Sequence, residues 1–69
     1  MHRVPVESRA VASVGYDAEH ATLEIEFADG DVYQYFAVPR RVHQELLAAD
    51  SIGRYFQSHI RDQYGYQRI

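Results

Sequence analysis

Between Thr22 and Phe27 the chain alternates without a break, Thr-Leu-Glu-Ile-Glu-Phe, setting Leu23, Ile25 and Phe27 on one face and Thr22, Glu24 and Glu26 on the other. A period of two predicts a strand with one face buried and its carboxylates in solvent. Ala28-Asp29-Gly30-Asp31 follows with the glycine that a tight hairpin needs, and Val32-Tyr-Gln-Tyr-Phe36 has the aromatic content of a returning strand.

Two registers fit this hairpin. With Asp29-Gly30 as a two-residue loop, Tyr33 and Tyr35 share the glutamate face. With Ala28-Asp29-Gly30 as a three-residue loop and Gly30 in the left-handed bulge position, both tyrosines join Leu23 and Ile25 on the core face. The second is favoured because it buries two aromatic rings against aliphatic partners.

Ala10-Val-Ala-Ser-Val-Gly-Tyr16 reads as an earlier strand, joined by the polar connector Asp17-Ala-Glu-His20, so a three-stranded meander is expected. Residues 1–9, with Pro5 among them, are expected to be extended or frayed. Pro39 suits the first position of a short amphipathic helix with Val42, Leu46 and Ala49 on one stripe and Leu47 beside it. Asp50 or Ser51 can cap a second helix in which Ile52, Tyr55, Phe56, His59 and Ile60 follow the spacing of a buried face, Gly65 ends it, and Tyr66–Ile69 forms a last short strand. The expected architecture is a single α+β domain: a small bent antiparallel β-sheet, two short helices after the hairpin, and a C-terminal edge strand.

Sixty-nine residues allow one domain, at a size where folding hides only about 60% of the unfolded chain's surface. The absence of cysteine removes disulfides and thiolate ligands and fits a cytoplasmic setting. With no apolar run near the roughly 20 residues needed to span a bilayer, the expectation is a soluble chain with no membrane partner. The net charge of −3 argues against indiscriminate coating of nucleic acid, but it is unevenly placed. Residues 1–39 carry two arginines against seven acids, and residues 40–69 carry five arginines against Glu45, Asp50 and Asp62.

The four histidines, His2, His20, His43 and His59, lack metal-ligand spacing, so no metal or cofactor is expected. The serines lie in no nucleophile-elbow pattern, no phosphate-binding loop is present, and no catalytic residues are assigned. A binding surface is better supported. Ser51 and Gly53 mark a helix start with free N–H groups that could meet an anion, beside Arg54; the plainer reading is that Gly53 permits close packing. Arg54, Arg61 and Arg68 could contact phosphates while Tyr64 and Tyr66 stack on bases, with Tyr55 and Phe56 assigned to the core. For Arg61, a salt bridge to one of the hairpin acids is the competing reading.

The series Val14-Gly-Tyr-Asp17, Leu23, Phe27, Gly30, Tyr33-x-Tyr35, Val38-Pro39, then Ser51-x-Gly53-x-Tyr55-Phe56-x-x-x-Ile60-Arg61-x-x-Tyr64, resembles the KTSC domain, named for the C-terminus of some lysyl-tRNA synthetases. The resemblance runs from about Ser8 to Ile69. It implies a small bacterial protein made of this domain alone, a variant of the Sm-like barrel, and a role in binding RNA or another nucleic acid. The alternative expectation is a protein-interaction or self-association module that uses an exposed sheet edge.

Overall fold

In the computed structural model, which describes residues 1–69, the alternating segment forms strand β3 (Thr22–Phe27), flanked by β2 (Val11–Asp17) and β4 (Val32–Tyr35). Leu23 pairs with Tyr35 and Ile25 with Tyr33, so the three-residue loop is the one adopted and both tyrosines lie on the core face. The turn closes through Phe27 N–H to the Asp31 carbonyl (2.8 Å) and Gly30 N–H to the Phe27 carbonyl (2.9 Å). Gly30 stands at φ +97°, a conformation that a side chain would strain.

Residues 1–9 do more than extend. Arg3–Pro5 form a strand, β1, antiparallel to β2, with Arg3 opposite Gly15 and Pro5 opposite Ser13. The close crossing requires glycine at 15, because a Cβ there would stand 2.8 Å from the His2 carbonyl oxygen. A register shift between Val11 and Ser13 bulges β2 at Ala12, so Val11 and Val14, three apart, both enter the core while Ser13 faces the other way.

Helix α1 spans Arg40–Ala48 and α2 spans Ile52–His59. Pro39 sits one position before the expected one, as the N-cap residue in extended conformation. Ser51 caps α2 by accepting the Arg54 N–H at 3.2 Å. α2 stops at His59 rather than running to Gly65, because Ile60 leaves helical geometry at φ −122° and its side chain turns into the core with no exposure. The last strand, β5 (Tyr66–Arg68), returns beside β4.

The sheet order is β1-β2-β3-β4-β5, antiparallel throughout and open, with β1 and β5 at its edges. Both helices contribute to the core: Val42, Leu46, Ile52, Phe56 and Ile60 meet Val11, Val14, Leu23, Ile25, Tyr35 and Val38. His59 lies outside this core and Tyr55 at its margin, so the buried stripe of α2 is narrower than its spacing suggests. No helix is long and apolar enough to cross a membrane.

The opposite sheet face departs from the solvated carboxylate surface expected of it. Glu24 is buried, accepting from Arg3 Nη1 at 2.5 Å and from Gln34 Nε2 at 3.0 Å. Arg3 Nε donates to Ser13 Oγ (3.1 Å), and that hydroxyl donates to Glu26 (2.8 Å). One polar network therefore ties four strands together. Burial pushes the Glu24 carboxyl upward, but the hydrogen bonds from Gln34 and Arg3 and the Arg3 charge outweigh it and leave the group below its ordinary range.

Candidate functional site

The hairpin register that turns Tyr33 and Tyr35 toward the helices also builds a groove. Tyr66 on β5 stands opposite Tyr35, and α2 lays Gly53, Phe56 and Gln57 along the far side. Five rings form a continuous cluster: Phe27 meets Tyr33 and Phe56 edge-on at 5.6 and 5.3 Å, and Tyr35 meets Phe56 edge-on at 5.3 Å. Tyr66 closes it, tilted 5.9 Å from Tyr33 and 5.7 Å from Tyr35. The groove is open to solvent, about 490 Å³ in volume, with Asp29, Asp31, Arg61 and Asp62 at its polar margin.

Its chemistry follows from the tyrosine hydroxyls. Those of Tyr16 and Tyr55 are spent inside the fold, on the Val38 carbonyl (2.6 Å) and Glu45 (2.8 Å), whereas those of Tyr33, Tyr35 and Tyr66 bond to nothing in the chain. Burial raises the Tyr35 phenol to about 12; the neighbouring Tyr33 and Tyr66 phenols add to the rise and the Arg61 guanidinium opposes it. Three neutral phenol donors and one fixed cation thus share a small volume walled by flat rings. Such a set can stack on a planar group and donate to the oxygens of an anion.

The groove gathers some of the residues singled out in the sequence and leaves others apart. Arg61, Tyr66 and Gly53 line it. Arg61 makes no salt bridge; the hairpin acid Asp31 is bridged instead by Arg68, which lies outside the groove, at 3.0 Å, and this offsets one of the acids at the margin. Arg54 lies outside the groove, and Tyr64 packs against the core without lining it. At the start of α2 the Ser51 hydroxyl is occupied by the cap, and a Cβ on Gly53 would approach the Ala10 Cβ to 3.3 Å, so the glycine serves close packing. The sequence reading did not include Phe27, Tyr33, Tyr35, Phe56, Asp29 and Asp62 in the site. The signal was the Tyr33-x-Tyr35 pair: both rings share the core face, Tyr35 is buried against Phe56, and Tyr33 is left half-buried at the opening.

Two further clusters are explained by local structure. Asp17, Glu19 and His20 bring ligand atoms within 4.8 Å of one another at the β2–β3 turn. The Asp17 carboxylate there accepts the Glu19 and His20 N–H groups and pairs with the His20 ring, which holds its carboxyl below the usual range. Between the helices, Glu45 joins Tyr55 and Arg41, and the His59 ring stacks on Tyr55 at 4.3 Å.

A family model described as the KTSC domain matches residues 7–64. A protein of Stutzerimonas stutzeri is 49% identical over 70 residues, covering 100% of this chain and 99% of its own length. A lysine–tRNA ligase of Nostoc sp. is 36% identical over 63 residues, a match that takes in 91% of this chain and 11% of that enzyme. Among solved structures, the crystal structure of a KTSC domain protein from Yersinia pestis superposes with a TM-score of 0.94 at 40% identity, covering 99% of this chain and 96% of the other.

Proposed function

We propose that this chain, which belongs to the KTSC domain family, is a non-catalytic binding module that receives single-stranded RNA, one unpaired nucleotide at a time, in the aromatic groove. The observation that carries the reading is the convergence of the unpaired Tyr33 and Tyr35 hydroxyls and the free Arg61 guanidinium beside Tyr66, whose ring is exposed and whose own hydroxyl is unpaired. A base stacks on Tyr66, the flanking phosphate meets Arg61, and the phenols donate to the remaining phosphate or sugar oxygens. Asp29 and Asp62 repel further phosphates, so the groove suits a splayed nucleotide rather than a long backbone track.

The family supports this reading through its members' context: lysine–tRNA ligases, enzymes named for a tRNA substrate, carry a segment similar to this chain. Within the groove no nucleophile stands beside a base, which favours binding over chemistry, and the reading needs neither metal nor cofactor. It carries a cytoplasmic setting, where RNA is met.

The test is a titration of isotopically labelled protein with short single-stranded RNA and with tRNA at low and moderate salt. Amide shifts are expected at Phe27–Tyr35 and Arg61–Arg68. Tyr66→Ala should weaken binding roughly tenfold or more. Arg61→Ala should also reduce the salt slope by about one, and Arg54→Ala should change neither. Unmoved amides at low salt, or equal losses from Arg54→Ala and Arg61→Ala, would overturn the assignment.

A further inference from the structure

The two edges of the sheet differ in how they end. On β1 the Val6 N–H donates inward to the Ala12 carbonyl, so by the alternation of an antiparallel ladder Arg3 and Pro5 turn their backbone groups outward. Proline has no N–H to offer, and that edge is blunted. On β5 the Gly65 carbonyl and the Ile69 N–H are bonded to β4, and Gln67 lies opposite Gln34 in the same phase. Tyr66 and Arg68 therefore present complete N–H and C=O pairs to solvent on a strand exposed throughout.

We infer that this edge is a self-association surface and that its partner is a second copy of the same chain, paired β5 to β5, antiparallel and centred on Gln67. Three features of the strand are complementary to themselves in that register alone. Tyr66 of each copy falls opposite Arg68 of the other, exchanging both backbone hydrogen bonds and bringing a guanidinium to a ring face. Ile69, 57% exposed, falls opposite Gly65, where nothing stands within 4 Å of a Cβ position. Gln67 meets Gln67, two neutral amides able to bond to each other. A shift of one residue would put Tyr66 against Gln67 and leave the outward groups out of phase.

The two-fold axis of such a pairing is perpendicular to the sheet, so both grooves open on the same side, each with its Tyr66 wall at the joint. The guanidinium of the second copy's Arg68, still paired with its own Asp31, then stands beside the Tyr66 ring. This inference rests on the edge itself and stands whatever the groove binds.

Sedimentation equilibrium of the full chain from micromolar to millimolar concentration tests it, together with Gln67→Lys and Gln67→Glu. Wild type should pass from one chain toward two, with concentration-dependent shifts at the Tyr66 and Arg68 amides. Each charged variant alone should stay a monomer, because like charges then stand directly opposite each other, and an equimolar mixture of the two should recover the dimer. A single-chain mass for wild type at every concentration would overturn the inference and leave the edge to an unrelated extended peptide. It is equally overturned by charged variants that dimerise alone as wild type does, or by a mixture that restores nothing.

Discussion

Removing the charge of Arg3 while keeping its stem, as in Arg3→Met, should destabilise the domain more than neutralising its partner through Glu24→Gln. The Glu24 side chain is 7% exposed and the Arg3 side chain 30% exposed, so the two are not equivalent when left alone. A carboxylate stranded at Glu24 keeps only the Gln34 amide, whereas a stranded Arg3 turns its head into water. Breaking a fully buried pair costs about 3–5 kcal/mol; the partial exposure of Arg3 brings Arg3→Met to about 2–3 kcal/mol by the same reasoning. Glu24→Gln keeps an acceptor in place and should cost about 1 kcal/mol. For a domain of this length the larger figure is a fall in Tm of roughly 10–20 °C, readable by circular dichroism. The pH dependence adds a second readout. In wild type the depressed Glu24 carboxyl contributes stability that is present above its ordinary pKa and lost as the pH falls through the lowered folded value. In Arg3→Met burial is opposed only by the Gln34 bond and the more distant charge of the N-terminus, so the carboxyl rises and is protonated sooner. The gap between variant and wild type should therefore narrow below about pH 4. A gap that stays constant with pH, or a greater loss from Glu24→Gln, would refute the account of β1 as a strand held by a buried pair.

Two further outcomes follow from the same geometry. Tyr35 should ionise near pH 12 in a spectrophotometric titration, and stability should fall between about pH 10 and 12 because the unfolded chain releases that proton first; Arg61→Ala should move the Tyr35 transition higher still. Ala37 stands at φ +57° in the loop before α1, so Ala37→Gly should raise stability by about 0.5–1 kcal/mol in urea denaturation, and an unchanged midpoint would contradict the strain.

Where one physical rule dominated, the sequence was informative. The alternation of β3 predicted its inward face, and the preference for burying aromatic rings selected the correct hairpin register. Periodicity failed where a long side chain intervened: Glu24 alternates like a solvated residue, yet Arg3 on the edge strand β1 reaches across β2 to cover it, and nothing in residues 1–9 reveals that Gly15 makes room for that approach. The helical spacing of α2 likewise continues through Ile60, but core packing claims that side chain and unwinds the backbone. In the site, Arg61 and Tyr66 could be proposed from residue type. Their company could not, because Tyr33 and Asp29 reach the groove only through the hairpin register and the return of β5 past both helices.

That return has a kinetic consequence. Each pairing from β1 to β4 joins neighbours in sequence and closes a short loop, whereas β4 and β5 meet only after both helices have been spanned. Closing the longer loop costs more entropy and gains only a three-residue ladder, so β5 should dock last and open first in native-state hydrogen exchange. Since Tyr66 travels with it, the groove is the final part of the molecule to form, and any ligand that bridges Tyr33 and Tyr66 would slow exchange at Gln67 and Ile69 without touching either amide.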